Sequence, residues 1–188
     1  MFYKSERLFL RPVFAEDWQA IHRGIAEEAI VHNLATAPWP YREDDARAFV
    51  AVKRDPMLPN FAVTLPGAGM IGQTGLGIEP VSGNIQIGYW IARPFWGQGY
   101  ASEAARGVVE VARGIGHRHL VASHFIDNPA SGKVLEKAGF KANGRIRPGY
   151  SLARGREDMV AEYTLDLAAD EPSDVESRIT LEDYPRAA

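Results

Sequence analysis

The run Trp96-Gly97-Gln98-Gly99-Tyr100 sets two glycines directly ahead of a helical pattern, and that arrangement can hold an anion. Glycines let main chain come close to a ligand. The first N–H groups of a helix have no internal acceptors, and the helix dipole favours negative charge beside them. The kind of anion is narrowed by what surrounds the glycines. No Lys-Ser or Lys-Thr pair follows Gly99, which excludes a nucleoside-triphosphate loop. A dinucleotide fingerprint needs a third small residue, where Ser102 stands, inside a parallel sheet whose next strand tip carries an acid. The expected sheet is mostly antiparallel, with a single parallel pair, so the turn is either a phosphate cradle of another kind or a plain helix entry. The five histidines show no ligand spacing with acidic partners, and no metal site is expected.

These residues need elements to position them. Ile85 to Ile91 reads as a strand, stopped at Arg93-Pro94 because proline cannot donate to a ladder. Beyond Gly99 a helix is predicted to about Arg113, with Ala101, Ala104, Ala105, Val108, Val111 and Ala112 inward. Gly114 and Gly116 stop it. Leu120 to Ile126 is nearly continuous in apolar residues and predicts a strand buried on both faces. It should lie parallel to the first strand, with the helix as a right-handed crossover. Asn128 then sits as an N-cap with Pro129 at the first helical position, and Ala130, Val134, Leu135 and Ala138 face inward.

The remaining elements follow from the same signals. A strand is expected at Arg7–Pro12, a helix from about Glu16 with Trp18, Ile21 and Ile25 on one face, and another helix from Arg42 to about Arg54. Phe61–Leu65 and Met70–Ile78 read as a hairpin, and Lys141–Arg147 with Met159–Leu167 as a closing strand pair around a loop from Pro148 to Asp158. The fold class expected is α+β (three layers), a mixed, mostly antiparallel sheet of about seven strands with four helices.

The chain of 188 residues is long enough for one domain with a sizeable core, and 46% hydrophobic with 24% charged residues is ordinary globular composition. No long apolar run or basic-then-apolar leader appears, so no membrane partner is expected. Zero cysteines exclude disulfides, thiolate metal sites and a cysteine nucleophile, and fit a cytoplasmic protein. The net charge of −3 is concentrated in the seven acids and two arginines from Asp166 onward, which leaves no basic footprint for nucleic acid. Residues 1–168 are read as the domain and 169–188 as an acidic tail.

The run IGYWIARPFWGQGYASEA, followed by IDNPASGKVLEKAGF, resembles the GNAT superfamily of acetyl-CoA-dependent N-acetyltransferases, and most closely its RimJ/RimL-like ribosomal-protein branch. The resemblance extends from about Leu8 to Leu167. It implies strands splayed at a cofactor cleft, with the pyrophosphate of acetyl-CoA held by Trp96, Gly97, Gln98, Gly99, Tyr100, Ala101 and Ser102. It implies that the pantetheine arm pairs with Ile91, whose amide or a neighbour's polarises the thioester. Asn128 and Ser131 match the family's N-x-x-S positions. Asn128 would bond the arm or simply cap its helix, and Ser131 would help protonate the leaving thiolate or stand as a solvated helix residue. The loop at Pro38-Trp39-Pro40-Tyr41 would wall the acceptor pocket through Trp39 and Tyr41, or plug the core.

The sequence departs from the family at Gln86, where many members carry a glutamate base, and at Leu135, where many carry a tyrosine acid. Pro94 also replaces the polar residue that often opens the glycine motif. His124 is then the remaining base candidate, or a structural histidine. The expected activity is acetyl transfer from acetyl-CoA to a primary amine, on a protein N-terminus or a small molecule, by direct attack. The rival readings are an acyl-CoA-binding module with weak turnover and a protein that self-associates through its acidic tail. A homodimer is compatible with the chain.

Overall fold

The computed structural model describes residues 1–167; the acidic tail expected at 169–188 lies outside them. In chain order the elements are β1 (Tyr3–Lys4), β2 (Phe9–Pro12), α1 (Trp18–Ile25), α2 (Glu28–Val31), α3 (Glu43–Ala51), β3 (Asn60–Leu65), β4 (Gly69–Ile78), β5 (Ile85–Ile91), α4 (Tyr100–Gly114), β6 (His119–Phe125), α5 (Pro129–Lys137), β7 (Lys141–Ser151) and β8 (Arg156–Asp166). Among the described residues the strands form one eight-stranded sheet in the order β1-β2-β3-β4-β5-β6-β8-β7. Every neighbouring pair is antiparallel except β5 with β6. The mixed, mostly antiparallel α+β architecture read from the sequence is therefore the one observed, with one more strand and one more helix.

Two apolar layers cover the sheet. Leu10, Val63, Ile71, Ile87, Ile91, Leu120 and Ala122 pack against Ala104, Ala105, Val108 and Leu135 of α4 and α5. On the other face Trp90 joins Ile21, Ile25, Ile30, Val31 and Ala46 from the first three helices. Period-two alternation sorts β5 accordingly: Ile87, Tyr89 and Ile91 face α4 and α5, and Gln86, Gly88 and Trp90 face the opposite side. Helix α4 ends where expected. Gly116 takes φ +93°, and the His117 amide reaches back to the Ala112 carbonyl.

Three expectations are corrected. β1 and α2, too short to carry a periodic pattern, were not legible. The segment Pro148–Asp158 is not a loop: β7 runs on to Ser151 and β8 begins at Arg156, leaving only a tight turn. Its arginines pair across the hairpin and to neighbouring loops, so polar composition there reflects ion pairing rather than irregular backbone. β6 is not buried throughout on both faces. Leu120, Ala122 and Phe125 are buried, whereas Val121, Ser123 and His124 are half-buried because the sheet opens beside them.

Candidate active site

The sheet is paired along the whole of β4–β5 and of β6–β8, yet β5 meets β6 at a single rung, Gln86 with Val121. Past that rung, no ladder pair among the described residues joins Gly88–Ile91 to Ser123–Phe125. The two parallel strands diverge into a cleft. In an antiparallel pair, alternate residues turn their N–H and C=O groups toward the partner strand. The Ala92 amide bonds the Ile71 carbonyl on β4, so in this register Tyr89 and Ile91 direct their main-chain groups away from β4 and into the cleft. The Ile91 carbonyl is taken by the Trp96 indole N–H at 2.6 Å. The Ile91 amide, by the same alternation, also faces the cleft.

At the mouth of this cleft lies the glycine turn. Gly97 and Gly99 both take positive φ, +73° and +82°, and Gly99 is the N-cap residue of α4. The amides of Gly97, Gln98, Gly99, Tyr100, Ala101 and Ser102 have no acceptor among the described residues; the first helical bond is Glu103 N–H to the Gly99 carbonyl. Helix α4 is 15 residues long, about 22 Å, and its dipole adds to those free donors. Such a row of free backbone amides can hold an anion. It fits a diphosphate, and the adjoining cleft fits an extended arm that pairs like a strand.

A buried acid holds the cradle in shape. The Glu103 carboxylate accepts from the Ser5 hydroxyl, the Arg7 amide and the Arg7 Nε, each at 2.7 Å, and is 4% exposed. Burial alone would raise its pKa, but these donors outweigh burial and hold it below the usual glutamate value. The same guanidinium donates to the Gln98 carbonyl at 3.1 Å and lies over the Tyr100 ring. Anchoring that carbonyl leaves the neighbouring amides facing outward. Sequence reading missed Arg7 and Glu103 because their pairing spans the chain; the only local sign was an acid in the first turn of a helix.

Beyond the cleft stands α5. Pro129 opens it and Asn128 is the N-cap residue, but the Asn128 side chain makes no capping bond, so its amide group is available to a ligand. The Ser131 Oγ lies 2.7 Å from the Tyr89 hydroxyl, which also reaches the Ser131 carbonyl at 3.1 Å. Burial pushes the Tyr89 phenol up to about 12. Tyr89 was read from the sequence only as part of a strand. His124 is turned toward α5: its Nδ1 donates to the Phe125 carbonyl at 2.8 Å, and its Nε2 lies 3.4 Å from the Tyr163 hydroxyl. On the opposite face, the Gln86 Nε2 donates to the Ser123 Oγ at 3.3 Å, and Gly88 is exposed with open space where a Cβ would stand.

The loop Pro38-Trp39-Pro40-Tyr41 divides. Trp39 is 41% exposed, while Tyr41 is buried among Ile21, Ala37, Ala46 and Trp90, its phenol pushed up to about 12 by burial first and by Asp45 second. The segment leading into the loop is tied to the β7–β8 turn: the Ser151 hydroxyl donates to the Leu34 carbonyl at 3.0 Å and the Leu152 amide to the Ala35 carbonyl at 2.9 Å, with Arg154 beside them. The Arg154 Nε donates to the His32 carbonyl at 2.7 Å and its two terminal nitrogens grip Asp127 at 2.8 and 2.9 Å. It also bonds Asp158 and lies over Phe125. A polar cavity of about 370 Å³ opens there, lined by His32, Asn33, Asp127, Ala153, Arg154 and Arg156. No cluster of His, Cys, Asp and Glu able to hold a metal occurs among the described residues, nor any helix long and apolar enough to cross a membrane.

A split parallel strand pair, a helix whose first amides are free, and a second helix on the far side form one cleft open to an anion and an extended arm. The chain belongs to the acetyltransferase (GNAT) domain family, whose pattern it matches over residues 7–141. It is an acetyltransferase with the acetyl-CoA chemistry of that family. It is 26% identical over 147 residues to the uncharacterized N-acetyltransferase YnaD of Bacillus subtilis (strain 168), covering 77% of this chain and 85% of that one. Its fold matches RimL, a ribosomal α-N-protein acetyltransferase solved with coenzyme A, with a TM-score of 0.75, 22% identity, and 90% and 100% of the two chains covered. It also matches spermidine N-acetyltransferase from Vibrio cholerae, solved with CoA and spermine, with a TM-score of 0.72, 18% identity, and 87% and 98% covered. At these identities the two structural likenesses are likenesses of fold.

Proposed function

We propose that the protein transfers acetyl from acetyl-CoA to a primary amine, either the α-amine of a protein N-terminus or a small-molecule amine, by direct attack. The observation that carries this reading is the row of acceptor-free amides from Gly97 to Ser102 beside the split between β5 and β6. The diphosphate sits on those amides, and the arm runs into the split past Ile91 and Asn128. The Ile91 amide stabilises the developing oxyanion, a contribution worth about 3–4 kcal/mol in other enzymes. The amine nitrogen bonds to the thioester carbon, the C–S bond breaks toward sulfur, and Ser131 donates to the departing thiolate. The amine's surplus proton passes through water and ends on the thiolate.

Gln86 cannot accept a proton, and His124 is engaged at both ring nitrogens, so the acceptor arrives with little help from a base. An α-amine, with a reference pKa near ~8 against about 10.4 for lysine, suits that site better. RimL acts on a protein α-amine and the Vibrio enzyme on a polyamine, which brackets the two acceptor classes. Trp39 lines the acceptor entrance, with Tyr41 packed behind it. The test is free-thiol release from acetyl-CoA over a panel of short peptides, polyamines and amino acids. Amine-dependent release supports the proposal.

A second reading has its own observation: Gln86 is spent on Ser123, and Leu135 is 1% exposed hydrocarbon. A chain without acid–base groups at those two positions would bind acyl-CoA and turn over poorly. CoA binding with no thiol release on any amine of the panel would select it.

A further inference from the structure

We propose that Tyr89 is a positioning residue that frees and aims the Ser131 hydroxyl at the departing sulfur; the inference rests on the acetyl-transfer reading above. Tyr89 projects from β5 where the strands have already parted, and its hydroxyl meets two atoms of one residue, Ser131 Oγ at 2.7 Å and Ser131 O at 3.1 Å. The phenol has one hydrogen to give. If it donates to the carbonyl, the serine hydroxyl must donate back to the phenol oxygen and has no hydrogen left for a ligand. If it donates to Oγ, the serine hydrogen is released and can point into the cleft. A thiolate forming in the cleft needs a donor and selects the second arrangement, because hydrogen bonds to ions are the stronger ones. The pair is thus a two-position switch set by the charge on sulfur.

Tyr89 is no proton source in this scheme. Its phenol, pushed up to about 12, lies well above a thiol near ~8.5, so the proton stays on oxygen throughout. The C–N bond forms, the C–S bond breaks, the electron pair goes to sulfur, and the proton that neutralises it is the one shed by the amine. Tyr89 and Ser131 finish as they began. No other described residue bonds the Ser131 Oγ.

The test uses coenzyme A itself and needs no acceptor. Titrating the ultraviolet absorbance of the thiolate in the bound state gives the apparent pKa of bound CoA in wild type, Tyr89→Phe, Ser131→Ala and the double variant. Calorimetric affinity at low pH, where the thiol is neutral, checks that each variant still folds and binds. Ser131→Ala should raise the bound thiol's pKa by about one pH unit, the worth of one hydrogen bond to an ion. Tyr89→Phe should do the same, because a serine hydroxyl that no phenol donates to turns back onto a carbonyl of the preceding turn. The double variant should match Ser131→Ala alone. Low-pH affinity should stay within about threefold, since a neutral thiol gains little from the donor. If Ser131→Ala leaves the titration unchanged, the role given to Ser131 fails and Tyr89's with it. If Ser131→Ala shifts it but Tyr89→Phe does not, or if the two effects add, Tyr89 alone is overturned.

Discussion

Replacing Gly99 separates a cradle made of backbone from one made of side chains. Gly99 has φ +82° and ψ 1°, and a Cβ added there would meet only the Arg7 guanidinium at 3.5 Å, an ordinary contact. Gly99→Ala therefore brings no clash inside the protein. What it brings is a left-handed conformation on an L-residue, which costs about 1–2 kcal/mol. That energy has two places to appear. If the turn keeps its shape, the strain lowers stability. If the turn relaxes, the amides from Gly97 to Ser102 no longer converge, and CoA must restore them at the expense of its own affinity. In the second case Kd rises about 5- to 30-fold, at 1.4 kcal/mol per factor of ten. Gly99→Val adds bulk where the main chain approaches the phosphates and should abolish binding.

Gln98→Ala is the counterpart. The Gln98 side chain donates only to the Pro94 carbonyl at 3.1 Å and is exposed, so truncating it leaves the amides in place. CoA affinity should change less than about threefold, the limit for an exposed neutral bond. Isothermal calorimetry with CoA, paired with thermal melts, measures both sides of the balance. Gly99→Ala with wild-type affinity and wild-type melting temperature would refute the argument. So would a Gln98→Ala variant that binds more weakly than Gly99→Ala.

The clasp and the acceptor wall can be tested in the same way. Glu103→Gln removes a carboxylate that three donors hold, and should destabilise by about 1–3 kcal/mol, less than a fully buried pair because Arg7 is 42% exposed. The Glu103 pKa is lowered on folding, so its contribution is complete above the unfolded carboxylate value and drains away as pH falls through the folded one. Urea midpoints at neutral pH and near pH ~3 should converge for Glu103→Gln and wild type, relative to their gap at neutrality; an unchanged gap would contradict the clasp. Arg154→Lys keeps the charge but loses the fork that grips Asp127 while bonding the His32 carbonyl, and should raise acceptor KM by about tenfold with CoA Kd unaltered. Equal weakening of both would show that the network holds the whole fold rather than the acceptor wall. Gly132→Ala would set a Cβ 2.7 Å from His124 Nε2 and 2.9 Å from the Tyr163 hydroxyl, so a loss of about 1–3 kcal/mol is expected in a denaturant melt. A neutral result would mean that α5 is free to shift.

What could be read from the chain, and what could not, follows the range of each interaction. The glycine turn, the two parallel strands and both helix starts are local: a φ requirement, an alternation, a proline at a first helical position. They appear at the predicted places within a residue or two. Tyr89, Arg7, Glu103 and Arg154 act across 42, 96 and 122 residues of chain, and nothing near them in sequence says what they will meet. Tyr41 illustrates the converse. Its loop reads as aromatic from the sequence, with pocket wall and core plug both open, and which of the two such a ring becomes depends on the depth at which three helices meet. That depth is set by Ile21, Ala46 and Trp90 from distant segments. The same reasoning explains why the cofactor half of the site is more legible than the acceptor half. A diphosphate is held by amides that every residue possesses, so its signature is the glycines that shape the backbone. Under the proposed function an acceptor would be selected by side chains on loops, and the pairings that position such loops, Arg154 with His32 and Asp127 among them, exist only once the chain has folded.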